Sequence, residues 1–325
     1  MLAADISTMR FSVMIPTCEP SDLLRETLTS VLRQAPDTDA MQIAVVDDAS
    51  MQTDVRSTID SLPGGHRIEF HPSRCRLGLA GNWNRAIELA RGQLVHLLHQ
   101  DDFVTDGFYS RMTRAFKHNP TIGMAFCRSR IVDAAGHHLK TNSRQAWWPG
   151  LLVNWLERIA ERQRVQTPAA VVSRAVYQEV GGYRADLQQA LDWEMWVRIA
   201  AAYPVWYEPR VLAVFRRHGV SESARLEASG AVWEDLVRAI VINARSFPEA
   251  TRDDLVSRSA GWYAGSAVRC ARAKFAAGEA DLAREAVRGA RQLLMLCHNP
   301  RTRARVERRI FSMQGTVPAA SLQTA

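Results

Sequence analysis

Apolar residues follow two rhythms along this chain. In the first hundred residues, short runs of consecutive apolar and β-branched residues alternate with stretches in which they recur every three or four positions. "RFSVMIP" is such a run. "SDLLRETLTSVLRQ" follows with Leu23, Leu24, Leu28, Val31 and Leu32 at helical spacing behind Ser21 and Asp22, which are helix-start residues. The pairing then repeats: "MQIAVVDDAS" predicts a strand, "TDVRSTIDSL" a short helix, "HRIEFHP" a strand, "LAGNWNRAIELARG" a helix closed by Gly92, and "QLVHLLH" a fourth strand. Strands this continuously apolar, separated by helices, predict a parallel sheet covered on both faces.

From about residue 121 the pattern is mixed. "IGMAFCRSRIVDAAGHHL" predicts two strands turning at Gly136, and "WWPGLLVNWLERIAERQ" an aromatic loop and a helix. "VQTPAAVVSRAVYQEVGGY" predicts a strand, a helix and a Gly-Gly stop. "LDWEMWVRIAAAYPVWYEP" predicts a helix ending near Pro204, and "VLAVFRRHG" a last strand. Beyond about Ser221 the spacing is helical throughout, with one tetratricopeptide-like hairpin around Gly278. A single copy is an appendage, because stacking needs about three repeats. Two domains are expected: residues 1–220, α/β, and residues 221–325, all α.

Composition narrows the class. With 325 residues, 47% hydrophobic and 23% charged, the chain is globular, which excludes a disordered or fibrous protein. No run reaches the roughly 18 to 20 apolar residues that cross a bilayer, and "MLAADISTMR" lacks a signal-peptide layout, so a soluble, cytoplasmic protein is expected. Cys18, Cys75, Cys127, Cys270 and Cys297 are scattered and odd in number, which predicts reduced thiols. The net charge of +7 is concentrated at one place: "CHNPRTRARVERRIF" holds five arginines against Glu307 alone, or +4. The rest is nearly balanced, with no basic stripe interleaved with aromatics, so no nucleic-acid partner is expected. The cluster reads either as a solvated helix end or as a peripheral contact with anionic lipid headgroups.

Two acidic pairs carry the candidate chemistry. Asp101 and Asp102 follow the fourth strand and Asp47 and Asp48 the second, and ligands of open α/β sheets bind beyond the carboxyl ends of strands. Paired carboxylates suit Mg²⁺ or Mn²⁺, which would hold phosphate oxygens on the remaining faces. Four carboxylates at one edge repel unless cations or donor-rich ligands are recruited. Taken singly, either pair also fits a turn with an aspartate cap.

At this point the chain resembles glycosyltransferase family 2, the inverting group with the GT-A fold. The likeness spans roughly residues 10 to 220, through "FSVMIPT", "LRETLTSVLRQ", "VVDDAS", "LGLAGNWNRAIELARGQLVHLLHQDD", "TPAAVVSRAVYQEVGGY", "ALDWEMWVRIA" and "VLAVFRRHG", in order. It implies a Rossmann-like, mostly parallel mixed sheet with flanking helices, and transfer of a sugar from a nucleotide diphosphate sugar to a saccharide or lipid-linked hydroxyl acceptor. In bacteria such transfer would serve surface polysaccharide or glycolipid synthesis. It further implies nucleotide contacts at Pro16, Thr17, Cys18, Glu19, Asp47, Asp48, Asn82, Asn84, Arg85 and Asp101. The metal motif falls on Gln100, Asp101 and Asp102, with Asp102 the direct ligand of Mg²⁺ or Mn²⁺. Cys18 and Glu19 stand where the family often has an aromatic residue and an asparagine. Asp192 matches the family's catalytic base, with Leu191 in place of the usual preceding acid, and Arg216, Arg217 and His218 match the segment over the leaving diphosphate.

The bland alternatives are specific. Asp192 also fits a helix cap, Asn82 and Asn84 a helix start, and Glu194 a partner for Arg198 one helical turn on. Trp147, Trp148 and Trp155 fit either a sugar-stacking wall or apolar packing. His96 and His99 at i and i+3 of a strand would face opposite ways, so no zinc site is expected there. A sugar nucleotidyltransferase would want a glycine-rich phosphate loop, and "PTCEPSDLL" has no glycine; P-loop and dinucleotide motifs are also missing. A non-catalytic sugar-nucleotide binder or scaffold is the remaining rival, and it would have no use for a base at Asp192.

Overall fold

The computed structural model describes residues 11–36, 40–219, 226 and 229–314. The N-terminal decapeptide and the start of the helical extension at Ser221 lie outside the described residues. The chain divides into two compact units: residues 1–155, 164–186 and 202–218 form one, and residues 156–163, 187–201 and 219–325 the other.

The first unit is built on one sheet, with strands β1 (Phe11–Thr17), β2 (Met41–Asp47), β3 (Ile68–Pro72), β4 (Leu94–Leu97), β5 (Phe103–Val104), β6 (Met124–Val132), β7 (His138–Thr141), β8 (Gly150–Leu151), β9 (Ala170–Ser173) and β10 (Val205–Arg216). Their order is β3-β2-β1-β4-β9-β6-β10-β5, with β7 beside β6 and β8 beside β10. β3, β2, β1 and β4 run parallel, as the early βα rhythm predicts. β9 runs antiparallel between β4 and β6, so the later half is mixed.

All seven residues of β1 and of β2 are buried, which is why these strands read as unbroken apolar runs. On one face Val13, Ile15, Ile43 and Val45 pack into a core with Leu24, Leu28 and Val31 of α1 (Leu23–Leu32). Phe108, Met112 and Phe116 of α4 (Phe108–His118) complete it. Each such side chain contributes roughly 1.5–3 kcal/mol by leaving water. Between these helices lie α2 (Val55–Asp60) and α3 (Gly78–Leu89). The latter ends at Leu89, and the chain is already extended at Ala90, so Gly92 does not close it. The β6–β7 hairpin turns at Gly136, where φ is 87°, as expected.

Strand register sets the position of the acidic turn. Thr17 of β1 lies opposite Asp47, whereas Leu97, the last residue of β4, lies opposite Met14. β4 therefore stops below the sheet edge, and residues 98–102 climb to it as a turn. Leu98 N donates to Met14 O at 3.0 Å, and Asp102 N to His99 O at 3.2 Å.

The remaining helices are α5 (Trp155–Glu161), α6 (Arg174–Val180) and α7 (Leu191–Ala202), followed by helices at Val232–Asn243, Arg252–Ala276, Ala280–Met295 and Pro300–Gln314. The hairpin of the second unit turns at Gly278, with φ 79°, where the spacing placed it. Ala260, Gly261, Ala264, Ala267 and Ala271 are buried along its first helix, and small residues let the helices approach closely. Among the described residues no helix is long and apolar enough to cross a membrane.

Candidate active site

The turn at residues 99–102 gathers the acidic chemistry. Thr27 of α1 holds it from beneath: its hydroxyl lies 2.7 Å from Asp102 O and 3.0 Å from Gln100 O. Gln100 is a strut. Its Oε1 accepts from Cys18 N at 2.8 Å and its Nε2 donates to Cys18 O, tying this turn to the loop after β1. With Gln100 committed to Cys18, the acidic group of this turn is Asp101 and Asp102, and His99 joins them. Ligand atoms of the three residues lie within 4.8 Å of one another. His96 lies within β4, whereas His99 lies past the strand's end and so is not bound by its alternation of faces.

Asp102 has no solvent exposure, and its two oxygens differ. Oδ1 accepts from Arg216 N at 2.8 Å, while Oδ2 lies 3.2 Å from Nδ1 of His99, out of hydrogen-bond alignment. Burial first, and the neighbouring Asp101 second, push its pKa up to about 6 against the opposing pull of His99. Asp101 instead meets Nε2 of His218 at 2.6 Å, and this bond raises the imidazole's pKa.

The second acidic pair resolves its repulsion internally. Asp47 accepts from Thr17 Oγ1, Ser50 N and Ser50 Oγ at 2.9, 2.8 and 2.6 Å. Asp48 accepts from Leu77 N and Gly78 N at 2.6 and 3.0 Å, capping the start of α3 from a distant loop. Both are 3% exposed. The four carboxylates therefore share no common need for a cation: Asp47 and Asp48 are satisfied within the protein. Glu19, at φ 46°, receives Met51 N and Gln52 N and pairs with Arg76 at 2.7 Å. These bonds, that of Met51 first, lower its pKa. Pro16 and Thr17 end β1 inside the sheet, and Cys18, in contact with Arg76, is exposed.

Asn82, Asn84 and Arg85, expected to line a donor pocket from α3, each bond to backbone of neighbouring elements. Asn82, 4% exposed and inside the helix, donates to Thr17 O and Val46 O and so holds the ends of β1 and β2 together. Arg85 donates to His71 O and Pro72 O at the end of β3. Asn84 brackets Tyr183, donating to its carbonyl at 2.9 Å and accepting from its N–H at 2.7 Å. A Cβ on Gly182 would lie 2.4 Å from Asn84 Oδ1, so the glycine is a steric requirement of this clamp. Gly182→Ala should cost roughly 1–3 kcal/mol, read as a lower urea midpoint at unchanged m-value. A midpoint equal to wild type would show that the clamp yields freely.

Arg216, expected over the leaving diphosphate, bonds extensively within the protein. It is 4% exposed, and its guanidinium is committed to Glu26 at 2.5 Å, to Ala134 O at 3.2 Å and to Asp101 O at 3.2 Å. It braces the acidic turn and has little left for a phosphate. Arg217 is exposed and His218 half-buried, so these two remain at the edge of the cluster. Trp155 is buried against Phe126, while Trp147 and Trp148 are 74% and 82% exposed, so the three tryptophans do not act alike.

Asp192 belongs to the helical unit, in the first turn of α7. Its Oδ1 accepts from Trp193 N at 2.7 Å and its Oδ2 from Gln163 Nε2 at 2.6 Å. Glu194, 3% exposed, is held by Arg198 through two bonds of 2.9 and 2.6 Å, the salt-bridge role its spacing predicts.

Thr27 and His99 surround the acidic pair in the structure, although sequence reasoning gave Thr27 no role and weighed His99 only as a zinc ligand on a strand. For His99 a signal existed in its i, i+3 spacing to Asp102 across a turn.

Comparison with known proteins agrees with this geometry. The family described as "Glycosyl transferase family 2" matches residues 12–187. Mycobacterium tuberculosis carries a relative named "Uncharacterized protein MT1568", 28% identical over 230 residues, 67% of this chain and 70% of that one. "Uncharacterized glycosyltransferase MG025" of Mycoplasma genitalium is 27% identical over 36% of this chain and 40% of its own. Among solved structures, S. aureus TarS 1–349 in complex with UDP-GlcNAc superposes with a TM-score of 0.63 at 16% identity, covering 77% of this chain and 71% of that one. At that identity the likeness is one of fold, and the fold is the GT-A arrangement. The family match takes in more than half of the chain, including both acidic pairs, and the protein belongs to glycosyl transferase family 2.

Proposed function

We propose that the protein is an inverting glycosyltransferase that moves a sugar from a UDP-sugar to a saccharide or lipid-linked hydroxyl acceptor. The carrying observation is the His99, Asp101 and Asp102 cluster, set beyond the carboxyl ends of the parallel strands in a chain of this family. The donor assignment is supported by TarS, a fold relative solved with UDP-GlcNAc and with UDP. Bacterial surface polysaccharide or glycolipid is the product class that the family suggests.

The residues present fit a divalent cation. Two carboxylates offer hard oxygen donors, and the buried Oδ2 of Asp102 lacks an aligned donor of its own. Asp102 and Asp101, with His99, would hold Mg²⁺ or Mn²⁺. When bound, the ion supplies positive charge against the departing diphosphate. Arg217 and His218 add donors at the same edge, with Arg216 as their brace. Asp47, Asp48, Asn82, Asn84 and Arg85 shape the donor site by fixing the loops and strand ends around it. The backbone of Pro16, Thr17, Cys18 and Glu19 forms its rim. Asp192 takes the proton of the acceptor hydroxyl.

Thermal melts with UDP, GDP, ADP and CDP, each with Mn²⁺, Mg²⁺ or a chelator, test the donor assignment. A ligand at about 100 times its Kd adds about 2.7 kcal/mol, so UDP with Mn²⁺ should raise Tm by several degrees. Absence of a shift with every nucleotide, or an undiminished shift in chelator, would sink the metal-dependent donor site.

A further inference from the structure

The arginine cluster lies on the last described helix, Pro300–Gln314, and that helix has three distinct faces. Val306, Ile310 and Met313 are buried and anchor it to the helical unit. Arg301, Arg305, Arg308 and Arg309 are exposed and, at 100° per residue, share one side of the helix. Phe311 sits at the border of that side, 75% exposed, and Met295 at the end of the preceding helix is 76% exposed. Between the two helices runs a groove of about 800 Å³ in which Leu294, Met295, Ile310 and Phe311 are flanked by three arginines, Arg291, Arg303 and Arg308, and by one acid, Glu307.

Each part has a cost if left in water alone. Phe311 and Met295 line one groove and so form an exposed apolar patch rimmed by charge, the mark of an interaction surface, and four arginines on one side repel each other. One partner relieves both: a surface with anionic phosphates above an apolar layer. We propose that this groove and the arginine face dock the protein on an anionic phospholipid membrane, with Phe311 and Met295 entering the acyl boundary and the arginines meeting headgroup phosphates. Arg303 lines the groove but is not counted among the headgroup contacts, because its guanidinium caps the preceding helix at Leu294 O, 3.1 Å away. Charge complementarity favours this occupant over an acidic protein or a nucleic acid, since neither of those calls for an apolar wedge amid the arginines. The inference stands apart from the donor site and would survive its failure.

Co-sedimentation of the full chain with vesicles tests it. Binding is expected with phosphatidylcholine containing phosphatidylglycerol at about 0.15 M salt, and loss is expected at about 1 M salt, where screening shortens the Debye length to about 3 Å. Replacing Arg301, Arg305, Arg308 and Arg309 together with Gln should weaken partitioning by on the order of a hundredfold or more. Phe311→Ser with Met295→Ser should weaken it several-fold, since binding scales with buried apolar area. Both variants should keep wild-type UDP melts. The proposal is overturned if wild type ignores anionic vesicles or if the arginine variant partitions equally. It is also overturned if duplex DNA displaces the protein while the Phe311 and Met295 changes have no effect, which would mark a general polyanion site.

Discussion

Exchanging Asp102 for asparagine is expected to make the ligand-free protein more stable at pH 7 and, in the same variant, to abolish Mn²⁺-dependent UDP binding. The carboxyl group is fully buried, and its pKa is lifted from 3.8 to about 6, chiefly by desolvation and then by Asp101. A native pKa above the unfolded one means that the folded state holds the proton more tightly. Stability is therefore lost as pH rises from about 4 through 6. Raising the pKa from 3.8 to about 6 corresponds to about 3 kcal/mol once ionisation is complete. Asparagine still accepts from Arg216 N and carries no charge to desolvate. The variant's advantage should be absent near pH 4 and reach its limit near pH 7, seen as a Tm several degrees above wild type. Calorimetry with UDP and Mn²⁺ should then show heat for wild type only. Equal Tm values at pH 7 would mean that the buried charge is relieved within the protein, and retained Mn²⁺-dependent binding would place the metal elsewhere.

That trade of stability for a ligand site also explains what could be read in the sequence. Continuous burial left a direct mark: "FSVMIPT" and "MQIAVVD" are apolar without alternation because both faces of their strands are covered, and the parallel half of the sheet follows from that. Turns marked by Gly136 and Gly278 were legible because a left-handed backbone favours glycine. The roles of polar residues were less legible. Asp48 and Asp102 look alike in the sequence, each the second of two aspartates past a strand. One is satisfied by the N–H groups of Leu77 and Gly78, the other is left with an oxygen out of alignment, and only tertiary register separates them. Arg216 suffered the same ambiguity. Its fork suits a phosphate, but a buried guanidinium is satisfied wherever oxygens converge, here from Glu26, Asp101 and Ala134. Neither the brace from Thr27 nor the short reach of β4, which makes the acidic pair a turn, leaves a local pattern.

Asp192→Asn should separate an enzyme from a sugar-nucleotide binder. Asparagine has the same size, its oxygen can still accept from Trp193 N, and the Gln163 amide can turn to accept from the new NH₂ group. The first turn of α7 should therefore survive, with Tm within a degree or two of wild type. What is removed is the carboxylate proposed to take the acceptor's proton, and general-base loss typically costs 10²- to 10⁴-fold in turnover. Release of UDP from a UDP-sugar with saccharide and lipid-linked acceptors should fall by that factor, while UDP affinity measured by calorimetry stays within about twofold, an interaction made only in the transition state having been lost. The near neighbour Glu194 offers no substitute, since it is buried and both its oxygens are held by Arg198. Turnover of Asp192→Asn within about threefold of wild type would therefore remove Asp192 from the base's role, and with it the main argument for inversion through this residue.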